Sequence, residues 1–272
     1  MRRFSAEYLD TTRRTMWTGD REALAGLELG TRDRILDVGC GTGAFTAVLA
    51  AEADADTTVV GVDADRSLLG HKDVGDSVVG DACRLPFADD SFDLVVCQTL
   101  LINLPDPLAA VEEFERVASD TVAAIEPDNS AVTVQSSVAA ESSLARRMRQ
   151  AYIAGIDSDV TLGADTAELF VDAGLDAIDT RRHKHVKRID PPYSEADLAI
   201  AREKATASAL DDVRETLLAG GMTTAEFEQF RDDWRAMGRS IADGMQEQRY
   251  RRVETVPFFV TVGQVSTDDP RA

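Results

Sequence analysis

Apolar and polar positions along this chain switch between two periods. Ile35, Leu36 and Val38 form a short apolar run, three glycines follow at Gly39, Gly41 and Gly43, and Phe45, Val48 and Leu49 then recur at helical spacing. This reads as a buried strand, a tight turn and a helix. A β-branched run over residues 57–62 predicts a second strand, and residues 77–82 predict a third. Residues 92–98 are almost wholly apolar, as expected of a fourth strand buried on both faces, and residues 121–125 predict a fifth. A short helix at 67–71 and a longer one at 108–118, opening after Pro107, fill the gaps. Strand and helix in alternation argue for an α/β fold with a parallel sheet covered on both faces.

Flanking segments are read the same way. Residues 5–29 carry Tyr8, Leu9, Met16, Trp17, Leu24 and Leu27 at helical spacing, with Thr18-Gly19-Asp20 as a break. Trp17 and Tyr8 are either packed or line a pocket. Further helices are expected over 137–154 and 165–173, and a sixth strand over 177–189. Pro191-Pro192 ends that strand, two long helical patterns follow at 195–219 and 223–249 around Gly220-Gly221, and residues 255–265 predict the last strand.

Charge changes the picture. The 272 residues hold 49 acids against 29 Lys and Arg, a net charge of −20, with 32 Asp and only four Lys. Such an Asp-rich, Lys-poor surface suits strong salt, where self-repulsion is screened within ~3 Å at molar ionic strength. The acids are spread along the chain, which weighs against a docking block for a basic partner, and nucleic acid is disfavoured because a phosphate backbone wants a basic face. Cys40, Cys83 and Cys97 have no C-x-x-C spacing, so neither a disulfide framework nor a metal site is expected. No signal-peptide core and no membrane-length apolar window are visible, and the expected compartment is the cytoplasm.

The glycine turn is the first candidate for chemistry. Without Cβ atoms the backbone can approach a ligand closely, and the following helix aims free N–H groups at the turn. Asp63, 20 positions beyond Gly43, closes the second strand, where a carboxylate can accept from the two hydroxyls of a ribose or cap the next helix. Asp81 closes the third strand, and a carboxylate there could accept from an exocyclic amine.

The segments ILDVGCGTG, VVGVDAD and VVGDACRLPFADDSFDLVVCQTLLINLPDP, in this order between Arg34 and Asn129, resemble the class I S-adenosylmethionine-dependent methyltransferases, in particular the small-molecule ubiquinone and menaquinone methyltransferase-like (type 11) group. The resemblance implies a doubly wound, seven-stranded Rossmann-like sheet of order 3-2-1-4-5-7-6 with its last strand antiparallel. It implies cofactor contacts from Asp37, Gly39, Cys40, Gly41 and Gly43 to the methionine part, from Asp63 and Ala64 to the ribose, and from Asp81 and Ala82 to the adenine. Gln98 ends the fourth strand, where cofactor and acceptor meet in that family. One departure is Asn103, where relatives often carry a histidine.

The expected organisation is N-terminal helices covering the site (1–30), a cofactor-binding core (31–194), a helical lid or dimer element inserted between strands six and seven (195–250) and a last core strand with its tail (251–272). The expected reaction is methyl transfer to a small-molecule acceptor by in-line displacement, which needs alignment and water exclusion and no metal. Candidate bases are Glu126, Asp128, His183 and His185, and Tyr152, Tyr193 and Tyr250 are orienting or simply packed. Residues 181–188 gather Arg181, Arg182, His183, Lys184, His185, Lys187 and Arg188, either a landing strip for an anionic acceptor or an edge strand blunted by charge. Two alternatives stay open. Gly39, Gly41 and Ala44 also satisfy the nicotinamide fingerprint G-x-G-x-x-G/A, and a non-catalytic cofactor-binding module would carry the same motifs. Monomer and homodimer are both compatible.

Overall fold

The structure is a computed structural model and describes residues 16–17, 21–69 and 76–266. Its strands are β1 Arg34–Val38, β2 Thr58–Asp63, β3 Asp76–Val79, β4 Phe92–Gln98, β5 Ala118–Pro127, β6 Thr133–Ser136, β7 Asp176–Ile189 and β8 Arg252–Gln264. The described α-helices are α1 Ala44–Glu52, α2 Pro107–Val117, α3 Ala139–Gly155, α4 Thr166–Asp172, α5 Glu195–Thr206, α6 Ser208–Asp212, α7 Arg214–Ala219 and α8 Thr224–Gln246. Two units are distinguished, one of Met1–Pro127, Leu162–His183 and Phe258–Ala272, the other of Asp128–Thr161 and Lys184–Pro257.

In the first unit the strand order is β3-β2-β1-β4-β5-β8, and β7 pairs with β8. Strands β1 to β5 are parallel, and β8 runs antiparallel to β5 with Glu126 opposite Phe259. This is the expected doubly wound sheet, with the predicted sixth and seventh strands realised as β7 and β8. Central strands are buried because helices cover both faces, and Leu36, Val95, Phe114, Val122 and Phe170 share one core. Pro107 opens α2 and the Asp106 carboxylate caps it by accepting from the Ala109 N–H at 3.2 Å.

In the second unit β6 pairs antiparallel with β8 between Thr133 and Ser136. Helices α5 and α8 each open on a capping box, Ser194 with Asp197 and Thr223 with Glu226. Their core is Phe227, Phe230, Met237, Ile241, Leu217 and Tyr250. Helices meet at glycines: a Cβ on Gly155 would stand 1.9 Å from Thr216 O, and one on Gly238 2.3 Å from Ala205 N.

Several elements differ from the pattern. The helix expected over 195–219 is three pieces, broken at Ala207, which is left-handed at φ 58°, and at Val213, at φ −107° and ψ 6°. The described part of the 5–29 segment is 3-10 helix at Glu22–Leu27 and Leu29–Thr31, not α-helix, while Tyr8, Leu9 and the 18–20 break lie outside the described residues. The expected helix at 67–71 is a turn as far as Leu69, and the rest lies outside the described residues. β3 ends at Val79, three residues early, since Asp81 turns back to bridge Arg84. β6 was not expected: four residues are too few to show a period.

Candidate functional site

At the carboxyl end of β1 the chain passes through Gly39, Gly41 and Gly43 at φ 71°, 57° and 82°. All three angles are left-handed, so a side chain there would be strained. Gly39 is also crowded, since a Cβ would stand 2.8 Å from Leu100 Cδ1. The turn is tied to β2: the Gly39 and Cys40 N–H groups donate to Val62 O at 2.7 and 3.1 Å, and the Gly41 N–H donates to Asp63 Oδ2 at 2.9 Å.

Asp63 is buried, and its Oδ1 accepts the Asp65 N–H at 2.8 Å. A carboxylate offers about four acceptor positions, so these two bonds leave room for a pair of hydroxyls. Turn-capping and diol-binding readings of this acid are therefore compatible. Ala64 beside it is exposed. Asp37, buried inside β1, accepts from Thr46 Oγ1 at 2.6 Å and so pins the first turn of α1 to the strand.

Asp81 is exposed and accepts the Cys83 N–H at 3.0 Å, whereas Ala82 is buried in the core. The following LPF loop is held from α2. Glu113 Oε2 accepts the Leu85 N–H at 2.8 Å, and Arg116 donates to Phe87 O at 3.1 Å and to Asp89 Oδ1 at 2.6 Å. The hydrogen bond from Arg116 holds the Glu113 carboxyl below its usual range, against its partial burial. The E-x-x-R spacing on a helical face was the available signal for this clamp.

Gln98 is buried at the end of β4. Its Oε1 accepts from Trp17 Nε1 at 3.4 Å and its amide nitrogen donates to Met16 Sδ. Trp17 in turn stacks on His183 with ring centroids 5.0 Å apart, and its ring lies 6.0 Å from that of Phe45 at the start of α1. Trp17 is thereby packed within the first unit, against Gln98 on β4, His183 on β7 and Phe45 on α1. Nothing in the sequence joins positions so far apart.

The candidate bases separate. Glu126 is fully buried at the end of β5, where its Oε1 accepts the N–H groups of Leu100 and Leu101, each at 2.8 Å. Cys97 Sγ lies 3.9 Å from the same oxygen, and burial, then the charges of Glu126 and Asp37, push its thiol well above the usual value. His183 belongs to the first unit and His185 to the second, both buried. Asp128 accepts from the Ser130 N–H at 2.8 Å in a local turn. Residues 181–188 divide by exposure: Arg181, Arg182, Lys184 and Arg188 are exposed, Lys187 is half-buried and His183 and His185 are buried, and among the described residues β7 pairs with one strand, as a charged edge would.

Among the described residues no three His, Cys, Asp or Glu side chains are grouped to hold a metal. No described helix is long and apolar enough to cross a membrane.

Residues 36–125 match the family model described as a methyltransferase domain. A demethylmenaquinone methyltransferase of Mycobacterium sp. (strain KMS) is 44% identical over 101 residues, covering 36% of this chain and 42% of its own length. One from Lactiplantibacillus plantarum is 36% identical over 107 residues, 36% of this chain and 45% of its own. The match thus spans less than half the length of these curated relatives. In fold, the chain is similar to a SAM-dependent methyltransferase from Thermotoga maritima at TM-score 0.52 and 14% identity, over 96% of this chain and 94% of that one. It is similar too to a methyltransferase candidate from Bacillus halodurans, at TM-score 0.50 and 14% identity, over 91% and 100%. The glycine turn tied to Asp63 lies within residues 36–125, the stretch that matches the methyltransferase domain, and the chain shares the fold of the Thermotoga protein.

Proposed function

We propose that this protein transfers the methyl group of S-adenosylmethionine to a small-molecule acceptor. The observation that carries the reading is the bond from the Gly41 N–H to the buried Asp63 carboxylate, which fixes a left-handed glycine turn beside an acid with spare acceptor positions. Gly39, Cys40, Gly41 and Gly43, with Asp37 behind them, receive the amino-acid end of the cofactor. Asp63 and Ala64 receive the ribose, and Asp81 and Ala82 the adenine. When bound, the cofactor supplies an electrophilic methyl carbon on a sulfonium, open to in-line displacement.

The chain's own work is alignment and exclusion of water. Gln98 and Trp17 form one wall near the end of β4. Glu126 acts by holding the Leu100–Leu101 backbone rather than by taking a proton, and His183, stacked on Trp17, is the base to test first. His185 and Asp128 are assigned no chemical role. Demethylmenaquinone, the substrate in the relatives' names, is the first acceptor to screen. The helical segment 195–250 serves acceptor selection or association with a second copy, from its place in the chain order alone. An acidic, Lys-poor chain of this kind suits a salty cytoplasm, and its thermal midpoint should rise between dilute and molar NaCl.

Calorimetric titration in molar salt tests the assignment, with S-adenosylhomocysteine as ligand, NADH and NADPH as comparators and Asp63→Ala as control. Micromolar binding of the thioether, lost in the variant, supports it, and turnover of an acceptor excludes the non-catalytic module. Binding of NADH in its place overturns it in favour of an oxidoreductase.

A further inference from the structure

One buried polar group at the carboxyl edge of the first unit is poorly partnered. β1 and β4 are parallel neighbours with Val38 opposite Cys97, so the next residues, Gly39 and Gln98, leave the sheet side by side. The strand order turns here, since β1 leads outward to β2 and β3 on one side and β4 to β5 on the other. Ligands of open α/β sheets bind outside the carboxyl ends of the strands at such a point. Gln98 is 3% exposed there.

A glutamine amide has two N–H donors and two acceptor positions, and among the described residues one of each is filled. Both partners are poor. Trp17 Nε1 donates to Gln98 Oε1 at 3.4 Å, beyond the usual range of about 2.7–3.2 Å, and Gln98 Nε2 meets Met16 Sδ, a thioether and hence a weak acceptor. The acids of the same edge are held better: Asp63 accepts at 2.8 and 2.9 Å, and Glu126 twice at 2.8 Å. An indole N–H can only donate, so Trp17 fixes the amide with its oxygen toward the ring and its NH2 group toward Met16. A buried donor left on a weak acceptor costs free energy that an oxygen in its place recovers. Trp17, with His183 stacked on it and Phe45 at 6.0 Å, lines this place with aromatic rings, which suits a flat ligand.

We propose that Gln98 is the specificity-determining residue of the acceptor site, its Nε2–H donating to a carbonyl or hydroxyl oxygen of a flat acceptor that takes the place of Met16 Sδ. This rests on the methyl-transfer reading, since it needs an acceptor beside the glycine turn. Trp17 stays where it is and orients the amide, which makes it a positioning residue. Met16 completes the donor while no acceptor is bound and gives way because an oxygen is the better partner.

Isothermal titration of the full chain, loaded with S-adenosylhomocysteine, tests this with two probes of one shape. Acetophenone carries a carbonyl oxygen where α-methylstyrene carries a methylene carbon. Expected is acetophenone binding at least ~tenfold tighter than α-methylstyrene in the wild type, with this preference lost or reversed in Gln98→Leu. In Met16→Leu, which keeps the volume and removes the thioether, acetophenone should bind more tightly still. S-adenosylhomocysteine affinity within about threefold of wild type shows that a variant is folded. Equal affinity for the two probes in the wild type, no binding of acetophenone, or an unchanged preference in Gln98→Leu overturns the proposal. Weaker acetophenone binding in Met16→Leu overturns the exchange with the thioether. The wild-type comparison decides even if Gln98→Leu does not fold. Failure of S-adenosylhomocysteine to bind the wild type overturns the methyl-transfer reading itself, and this proposal with it.

Discussion

Glu126→Gln separates a positioning acid from a base. In the wild type one carboxylate oxygen accepts two buried backbone N–H groups, those of Leu100 and Leu101, each at 2.8 Å. Leu100 then lies against Gly39, so the clamp runs from β5 through the loop after β4 to the glycine turn. Glutamine keeps an oxygen that can accept both bonds but gives up the charge. Bonds to a charged acceptor contribute about 1.5–3 kcal/mol and neutral ones about 0.5–1.5, so two bonds weaken by about 2 kcal/mol together. Unfolding of the first unit should become roughly thirtyfold more favourable. The chain has two tryptophans, Trp17 in the first unit and Trp234 in the second, so a Trp234→Phe background leaves Trp17 to report the first unit alone in a urea titration. Turnover, measured where the variant is fully folded, should fall less than tenfold. A stability loss under about 0.5 kcal/mol with turnover abolished would refute the clamp and make Glu126 the proton acceptor.

Gly39→Ala adds a methyl at φ 71° and 2.8 Å from Leu100 Cδ1, which should cost about 2–4 kcal/mol and weaken S-adenosylhomocysteine binding in calorimetry. Gly238→Ala forces a methyl to 2.3 Å from Ala205 N between α5 and α8, and loss of Trp234 burial by fluorescence should follow while Trp17 is unaffected. Of the three cysteines only the partly exposed Cys83 should react with a thiol reagent in the native protein, slowly at pH 8, since burial and then Asp81 push its pKa up. Glu113 and Glu141 both titrate below the usual 4.5 in the folded state, Glu113 through its hydrogen bond from Arg116, and Glu141 because Lys204 and Arg252 outweigh its burial. Depressed folded values stabilise above the unfolded value and lose that contribution as pH falls, so urea midpoints should be flat at neutral pH and drop below about pH 5.

The parallel core was legible because its signals are local. The apolar run of β1 and its glycine turn are adjacent, the acid Asp63 directly follows its own apolar run, and Pro107 marks the start of α2 because its ring fits the first helical turn. The proposed cofactor residues lie in the same stretches. What the sequence hid is long-range or set by a single backbone angle. Trp17 meets Gln98 across 81 positions, and periodicity carries nothing over that distance. Ala207 breaks a helix at φ 58° although alanine is the best helix former, so packing of the second unit overrides propensity there. The basic run on β7 looked like one surface, but the period of two in a strand divides it between solvent and interior.

Acids at the strand ends of the first unit share one task. Asp37 near the end of β1 takes the Thr46 hydroxyl, Asp63 at the end of β2 takes the Gly41 N–H, Asp81 beyond β3 takes the Cys83 N–H, and Glu126 near the end of β5 takes those of Leu100 and Leu101. Each carboxylate therefore stiffens a loop at the carboxyl edge before any ligand arrives, and a ligand that meets ordered donors loses less entropy on binding. It also explains why a capping reading and a ligand reading of the same acid need not compete, because a carboxylate has acceptor positions for both. Stability and cofactor affinity should then fall together at Asp63, whose oxygens serve loop and ligand, and part at Asp37, whose buried oxygen serves the loop. Asp63→Asn and Asp37→Asn, compared by urea midpoint and by S-adenosylhomocysteine titration, should show larger losses of affinity per unit of stability at Asp63. An equal ratio at the two positions would mean that both acids act through the loop alone.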